Sequence, residues 1–459
     1  MSNEQNTKMW SGRFREPLDK RFEDWQRSFP FDYRLLPQEV AASKAHAQAI
    51  AAAGILTTAE LTTMLAGLEA VRTVAIDHTD TEPEDIHHFV ELELTKQIGA
   101  LALKLHTGRS RNEQIATDMR LFVRDAIDAT LAGINAWRSA LLDLATQAGE
   151  AVMPSYTHLQ RAEPVLIAHW LLAYVAMLDR DASRLTDARK RLNLCPLGSG
   201  AVAGATLALD RTIAAKALAF DAPTPNSMDA TSDRDFALDF TQAVATLGIH
   251  ISRFAEELTL YSTAEFGFLD LPERFSTGSS AMPQKKNPDL TELIRGKSGR
   301  LQGAATTLAT LIKGLPLAYN KDLQEGQEPV FDAADTIAGI LSVLPDFTRS
   351  LKFRLEAMEK AATTGYLNAM AAATYLSNKG VAFRKAHEII GNAVRLGLET
   401  GRELDALTLA ELRTLSDTFA EDFFSAIALH ATLDCHDVLG GTARPRVQQA
   451  LTAAKASNT

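Results

Sequence analysis

Three short segments carry residues whose types and spacing suit chemistry: His106-Thr-Gly-Arg-Ser-Arg-Asn-Glu113, Tyr156-Thr-His-Leu-Gln160 and Ser276-Thr-Gly-Ser-Ser-Ala-Met-Pro-Gln-Lys-Lys-Asn-Pro288. In the first, Ser110 followed three residues later by Glu113 reads as a capping box and sets a helix N-terminus there. Arg111 and Asn112 then occupy the first turn, beside unpaired N–H groups and the positive end of the helix dipole. That combination suits a carboxylate or a phosphate. Taken alone, the segment equally describes a capped helix with a solvated arginine. In the second segment His158, whose unperturbed pKa is ~6.5, is suited to moving protons near neutrality. A lone loop histidine is as readily structural. In the third, Gly278 and its hydroxyl neighbours suggest a mobile loop, and Asn287-Pro288 reads as an N-cap followed by proline at the first helical position. Lys285, Lys286, Asn287 and the serine hydroxyls are thereby brought to another positive helix end. Glu292 lies on the first turns of that helix and is placed to orient a histidine. A flexible basic loop is the plainer description of this segment by itself.

Long helices must position these segments. From Ile115 the apolar residues run Ile115, Met119, Phe122, Ala126, Leu131, Ile134, Trp137, Leu141 and Leu144, with no proline from Glu113 to Val152. A helix of about 36 residues would be ~54 Å long and needs neighbours along its whole length. Similar spacing predicts helices over Phe236–Tyr261, from near Pro164 to Leu192, from Pro288 to Lys313, and from near Pro329 onward. Repeats of three and four residues on several long segments predict a bundle with coiled-coil-like packing. With no run of alternating strand residues, the fold class reads as all-α. Shorter helical patterns flank the bundle, broken by Pro17, Pro30, Pro37 and Gly54 on one side and including Leu407–Thr418 on the other. The expected organisation is a small helical domain at 1–110, a central bundle at 111–362 and a small helical domain at 363–459. The residues from Lys455 to Thr459 read as a frayed end.

Composition narrows the function classes. The 459 residues carry 47 Lys and Arg against 57 Asp and Glu, a net charge of −10 that argues against general binding of nucleic acid or anionic membrane. The longest apolar stretch, Val165–Leu178, is shorter than the ~20 residues that span a bilayer, and Met1–Phe14 lacks the apolar core of a secretory signal. Cys195 and Cys435 stand far apart, which argues against a disulfide framework or a structural zinc site. Both read as small buried thiols in a reducing cytoplasm. Glu84-Asp-Ile-His87 has the spacing of a di-iron ligand pair, but that site needs a second copy and the sequence holds none, so no metal is expected. No Walker loop or dinucleotide fingerprint is present either.

Together with Met9-Trp-Ser-Gly-Arg-Phe14, Asn226-Ser-Met-Asp-Ala230 and Gly314-Leu-Pro-Leu-Ala-Tyr-Asn-Lys-Asp-Leu-Gln324, the three segments resemble the argininosuccinate lyases of the fumarase/aspartase superfamily over nearly the whole chain. The resemblance implies a homotetramer with a 20-helix core and active sites assembled from three subunits. It also implies reversible β-elimination of argininosuccinate to arginine and fumarate in arginine biosynthesis, without metal or organic cofactor. By the same resemblance Ser279, His158, Lys285 and Glu292 are catalytic. Ser28, Arg111, Asn112, Thr157, Asn287, Tyr319 and Gln324 bind substrate, with His87 nearby. Ser279 is the favoured base at Cβ, with His158 handling the leaving-group proton through Glu292 or water; the reverse labelling fits the same residues. The chain departs from the family at Glu325-Gly-Gln327, where Gln327 replaces a substrate-contacting lysine and weaker substrate binding is expected. Two other readings fit the fold: a related fumarate-releasing lyase for another amino-succinate, and a structural lens-type protein. The presence of all four catalytic side chains argues against the latter.

Overall fold

The computed structural model describes residues 16–457. The segment Met9–Phe14 therefore lies outside the described residues, as do the last two residues of the end read as frayed. Lys455, by contrast, is helical, because the last helix holds through Ala456. The helices run in chain order α1 (Lys20–Gln26), α2 (Phe29–Asp32), α3 (Leu36–Ala52), α4 (Thr58–Val71), α5 (Ile86–Ile98), α6 (Arg111–Ala148), α7 (Ile167–Leu192), α8 (Arg211–Ala217), α9 (Ser227–Ser232), α10 (Asp235–Tyr261), α11 (Asp289–Ile312) and α12 (Gln327–Arg349). Shorter helices follow, from α13 (Leu355–Ala362), α14 (Ala369–Asn378) and α15 (Phe383–Thr400) to a last helix at Arg444–Ala456. The fold is the expected all-α helical bundle.

The chain divides into two compact units. The first comprises 1–127, 186–241 and 303–333; the second comprises 128–185, 242–302 and 334–459. Each of α6, α7, α10, α11 and α12 contributes residues to both. At 38 residues, α6 is ~57 Å long. Within the first unit its Phe122 meets Phe331 of α12 edge to face at 4.8 Å. Within the second, Trp137 is fully buried, packs on Phe254 of α10 and donates its indole N–H to Thr348 Oγ1 at 3.0 Å. Gly133 lets α6 approach α12 closely, since a Cβ there would stand 2.9 Å from Leu341. Residues from Ala372 to Ile427 close a core of their own, centred on Leu376, Phe419 and Phe423.

Several boundaries differ from the sequence expectation. Strand β1 (Val152–Thr157) pairs antiparallel with β2 (Gln160–Leu166) across the region read as strand-free, and α7 begins at Ile167 rather than near Pro164. The apolar face of this hairpin is short, and a bulge between Pro154 and Tyr156 breaks its alternation, so no period of two shows in the sequence. The stretch Leu407–Thr418 holds only a short helix, Leu409–Arg413. Cys195 is buried as expected, but Cys435 is exposed at the end of a short helix.

Candidate active site

The residues expected to bind substrate gather largely in the first unit. Ser110 and Glu113 close the entrance of α6, though not as a standard box. The Glu113 carboxylate accepts the Ser110 N–H at 3.1 Å and, from the following loop, the Gly200 N–H at 3.0 Å. The Ser110 hydroxyl accepts from Asn112 rather than from Glu113. Gly200 has φ +61°, and a Cβ there would stand 2.6 Å from the Gly204 carbonyl, so only glycine lets the loop deliver this N–H. The Asn112 amide in turn donates to Ala201 O at 3.1 Å. Arg111 faces Asp85, the N-cap of α5, at 3.3 Å. Both Arg111 Nη2 and Nε are buried without an acceptor.

Ser28, almost fully buried, donates to Asp32 Oδ2 at 2.6 Å, while its N–H is held by Glu84 O. Asp32 also accepts the Ile86 N–H. Burial, and next the charge of Asp85, push its carboxyl up to about 7. Gln324 donates to Gln26 O at 3.1 Å, and the Gln26 amide reaches Glu84. Tyr319 lies in the electrostatic reach of Arg234, Asp85, Asp32 and Arg111, and burial pushes its phenol up to about 12. Gln327, at the start of α12, is 3 % exposed and its Oε1 has no donor. The expected lysine replacement is thus a buried amide rather than an open contact. His87 is fully buried and bonded through Nδ1 to Glu39 Oε2 at 2.8 Å. The sequence reading missed Asp32, Glu39, Asp85, Arg109, Gln114 and Asp118. For Glu39, Gln114 and Asp118 the signal was polar residues standing where the three-and-four repeat of α3 and α6 demands apolar ones.

The residues expected to do the chemistry lie in the second unit. His158 and Leu159 form the two-residue tip of the β1–β2 hairpin, both left-handed with φ 56° and 57°. Such a turn favours Asn-Gly, and a leucine there is strained. His158 is therefore presented on a tight exposed turn rather than in a loose loop. Thr157 sits beside it, paired with Gln160. Tyr156 anchors the hairpin against Tyr261, Phe266 and Phe268, with ring centroids 5.6–6.5 Å apart.

In the serine loop, Ser279 Oγ accepts the N–H groups of Ala281 at 3.2 Å and Met282 at 3.1 Å. Two N–H donors aimed at one hydroxyl oxygen stabilise its deprotonated form. Asn287 does not cap α11. Its side-chain amide donates at 3.4 Å to Thr277 Oγ1 and Gly278 O across a two-residue strand bridge, while Asp289 accepts the Thr277 N–H. The helix starts at Asp289 because the loop, not the cap, claims Asn287. Of the two lysines, Lys286 is tied to Leu271 O at 2.7 Å, and Lys285 is exposed. Glu292 is half-exposed and faces Arg295 at 3.8 Å, so its ion pair within this chain is not with His158.

Helix-entrance cations, a serine loop and a presented histidine on a long-helix bundle define a lyase of the fumarate-releasing type. The family described as Lyase matches residues 12–303, and the family described as Argininosuccinate lyase C-terminal matches residues 366–434. A variant of EDDS lyase with bound fumarate superposes with a TM-score of 0.83 at 25% identity, covering 94% of this chain and 89% of that one. An argininosuccinate lyase of Acidobacterium capsulatum is 63% identical over 455 residues, covering 97% of this chain and 94% of the relative. One of Koribacter versatilis is 57% identical, covering 98% and 97%. The chain belongs to the argininosuccinate lyase family.

Proposed function

We infer that this protein catalyses the reversible β-elimination of argininosuccinate to fumarate and arginine. The observation that carries the reading is the Ser279 hydroxyl held by two backbone N–H groups in the loop that also presents Lys285. Removing a Cβ proton beside a carboxylate builds a doubly charged, enolate-like species. Preorganised donors must meet that charge, an effect worth ~3–4 kcal/mol per donor in oxyanion holes. In this reading Ser279 takes the Cβ proton as an alkoxide, Lys285 and the Asn287 amide stabilise the developing charge, and His158 hands a proton to the departing guanidine. Glu292 acts on His158 directly or through water. Arg111 and Asn112 hold a succinyl carboxylate, with Ser28, Thr157, Tyr319 and Gln324 completing the binding set.

Binding residues concentrate in one compact unit and reacting residues in the other, and in this reading they meet as segments of three protomers in a homotetramer. Support comes from exposed surface on the long elements. Gly296, Gly299 and Gly303 of α11 face open space, and Leu293 of α11 and Leu159 of the hairpin tip are 59% and 69% exposed. Close helix contacts between copies would cover such a glycine face. The division into 1–110, 111–362 and 363–459 suits the same plan, supported by the separate core from Ala372 to Ile427. Two free cysteines suit a reducing, cytoplasmic setting. Among the described residues no helix is long and apolar enough to cross a membrane.

The test is ultraviolet detection of fumarate released from argininosuccinate, set beside adenylosuccinate and aspartate. The Ser279→Ala variant is expected to lose about a thousandfold in kcat with little change in KM. Near-wild-type turnover in that variant would remove Ser279 from the mechanism, and a strictly monomeric, fully active enzyme would remove the shared site.

A further inference from the structure

Beneath the proposed binding residues lies a buried knot of charge that the elimination chemistry does not use. Glu39 on α3 bonds His87 Nδ1 at 2.8 Å through Oε2. Its Oε1 accepts from Ser43 at 2.7 Å and from Gln114 at 3.1 Å, with Arg109 at 3.8 Å. Asp118, one turn beyond Gln114 on α6, is wholly buried, and neither of its oxygens has a hydrogen-bond donor from another residue. Its nearest cation is His87 Nδ1 at 3.6 Å, a nitrogen already committed to Glu39. One oxygen each of Glu39 and Asp118 and a ring nitrogen of His87 lie within 4.8 Å of one another. Two ionised carboxylates cannot share a dry site at this separation, so one of them keeps a proton. Glu39 holds the hydrogen bonds and the cations, which leaves the proton to Asp118.

We propose that Asp118 is a protonated positioning residue: it donates its proton to Glu39, and the pair keeps His87 as an imidazolium whose Nε2 serves a substrate carboxylate. This rests on the lyase reading above. Nε2 has no partner among the described residues, whereas Nδ1 is anchored. The groups facing His87 from the packed elements are Glu39 on α3, Asp118 on α6, Asp85 and Arg111 at the helix entrances and Asp32 on α2, while Arg109 faces Glu39 and Asp118. Burial raises the Asp118 carboxyl first and the neighbouring Glu39 charge raises it further. Burial alone would lower the His87 imidazole, but the charge and hydrogen bond of Glu39 outweigh it and the net shift is upward. The consequence is a sign change in the binding floor. Ionised, the four carboxyls Asp32, Glu39, Asp85 and Asp118 would outnumber Arg109, Arg111 and imidazolium His87. With Asp118 neutral the two signs balance at three each, and protonation of Asp32, whose carboxyl is pushed up to about 7, leaves the cations in excess below that pH, where a polycarboxylate is welcome.

The reading is tested by nitrogen NMR of the His87 ring in the intact enzyme and by kinetics of Asp118→Asn, Asp118→Leu and Glu39→Gln. In the wild type at pH ~7.5 His87 is expected to be doubly protonated, past the ~6.5 of a free histidine. Asp118→Asn keeps a neutral donor and is expected to hold KM within about threefold. Asp118→Leu removes the donor and Glu39→Gln the anion; both are expected to raise KM about tenfold at that pH with kcat preserved, and Glu39→Gln to move the His87 titration downward from its wild-type position. A neutral His87 ring at pH ~7.5 in the wild type would overturn the proposal. So would an Asp118→Asn enzyme as impaired as Asp118→Leu. The NMR result stands whether or not argininosuccinate is the substrate, so failure of the lyase reading and failure of this one are separable.

Discussion

Replacing Glu113 by alanine tests whether one buried carboxylate holds the binding loop to the entrance of α6. Glu113 is fully buried and accepts two backbone N–H bonds, from Ser110 at 3.1 Å and Gly200 at 3.0 Å. Hydrogen bonds to a charged group contribute ~1.5–3 kcal/mol each, and both N–H groups would be left without that acceptor. Against this, burial raises the Glu113 carboxyl, so removing it relieves part of a desolvation cost. The balance is a loss of about 3 kcal/mol. Because Asn112 is held by Ala201 in the same loop, the released loop also loosens the turn proposed to bind a carboxylate. KM is expected to rise about tenfold while kcat changes little. Denaturant unfolding at one fixed protein concentration, with fumarate release on the same preparations, reads both effects. Unfolding free energy within about 0.5 kcal/mol of wild type would show that Glu113 does not tie the loop, and the placement of Arg111 and Asn112 would need another cause.

Further outcomes follow from the same geometry. Gln327→Lys supplies a cation where an amide oxygen now lacks a donor, and is expected to lower KM about tenfold at constant kcat; no change in either constant would show that the position does not sense substrate. Trp137→Ala empties the middle of α6 and strands Thr348 Oγ1, so a loss of about 4 kcal/mol is expected in unfolding. A loss below ~1.5 kcal/mol would mean the bundle collapses onto the gap. His46 donates to Thr107 O at 3.0 Å, and its imidazole is pushed down to about 3 by burial and then by Arg109. The unfolded chain therefore binds a proton that the folded one refuses between pH 6.5 and about 3. The stability contributed above 6.5 is lost as pH falls, at up to ~1.4 kcal/mol per unit. Unfolding midpoints of His46→Gln should flatten across that window; an unchanged slope would assign the acid loss elsewhere.

Much of this protein could be read along the chain because helices are local. The Ser110 cap and a proline-free repeat of three and four residues put Arg111 and Asn112 in the first turn of a helix of about 36 residues, and α6 runs 111–148; α10 runs 235–261 against an expected Phe236–Tyr261. The serine, histidine and arginine segments were likewise visible, since each is contiguous. What depended on contacts between distant residues was not. The β1–β2 hairpin hid because a bulge erased its alternation and its turn uses His158-Leu159 instead of glycine. Asn287 was read as a cap because cap and loop chemistry use the same amide, and only the pairing with Thr277 and Gly278 decided between them. The Glu39–His87–Asp118 knot joins residues from three helices. Whether a carboxyl there is charged depends on burial and on neighbours tens of residues away. The sequence by itself determined the helices and the reactive side chains, through local periodicity and residue chemistry. The tertiary structure alone decided which of those side chains are dry and which are paired, because desolvation and charge coupling act through space.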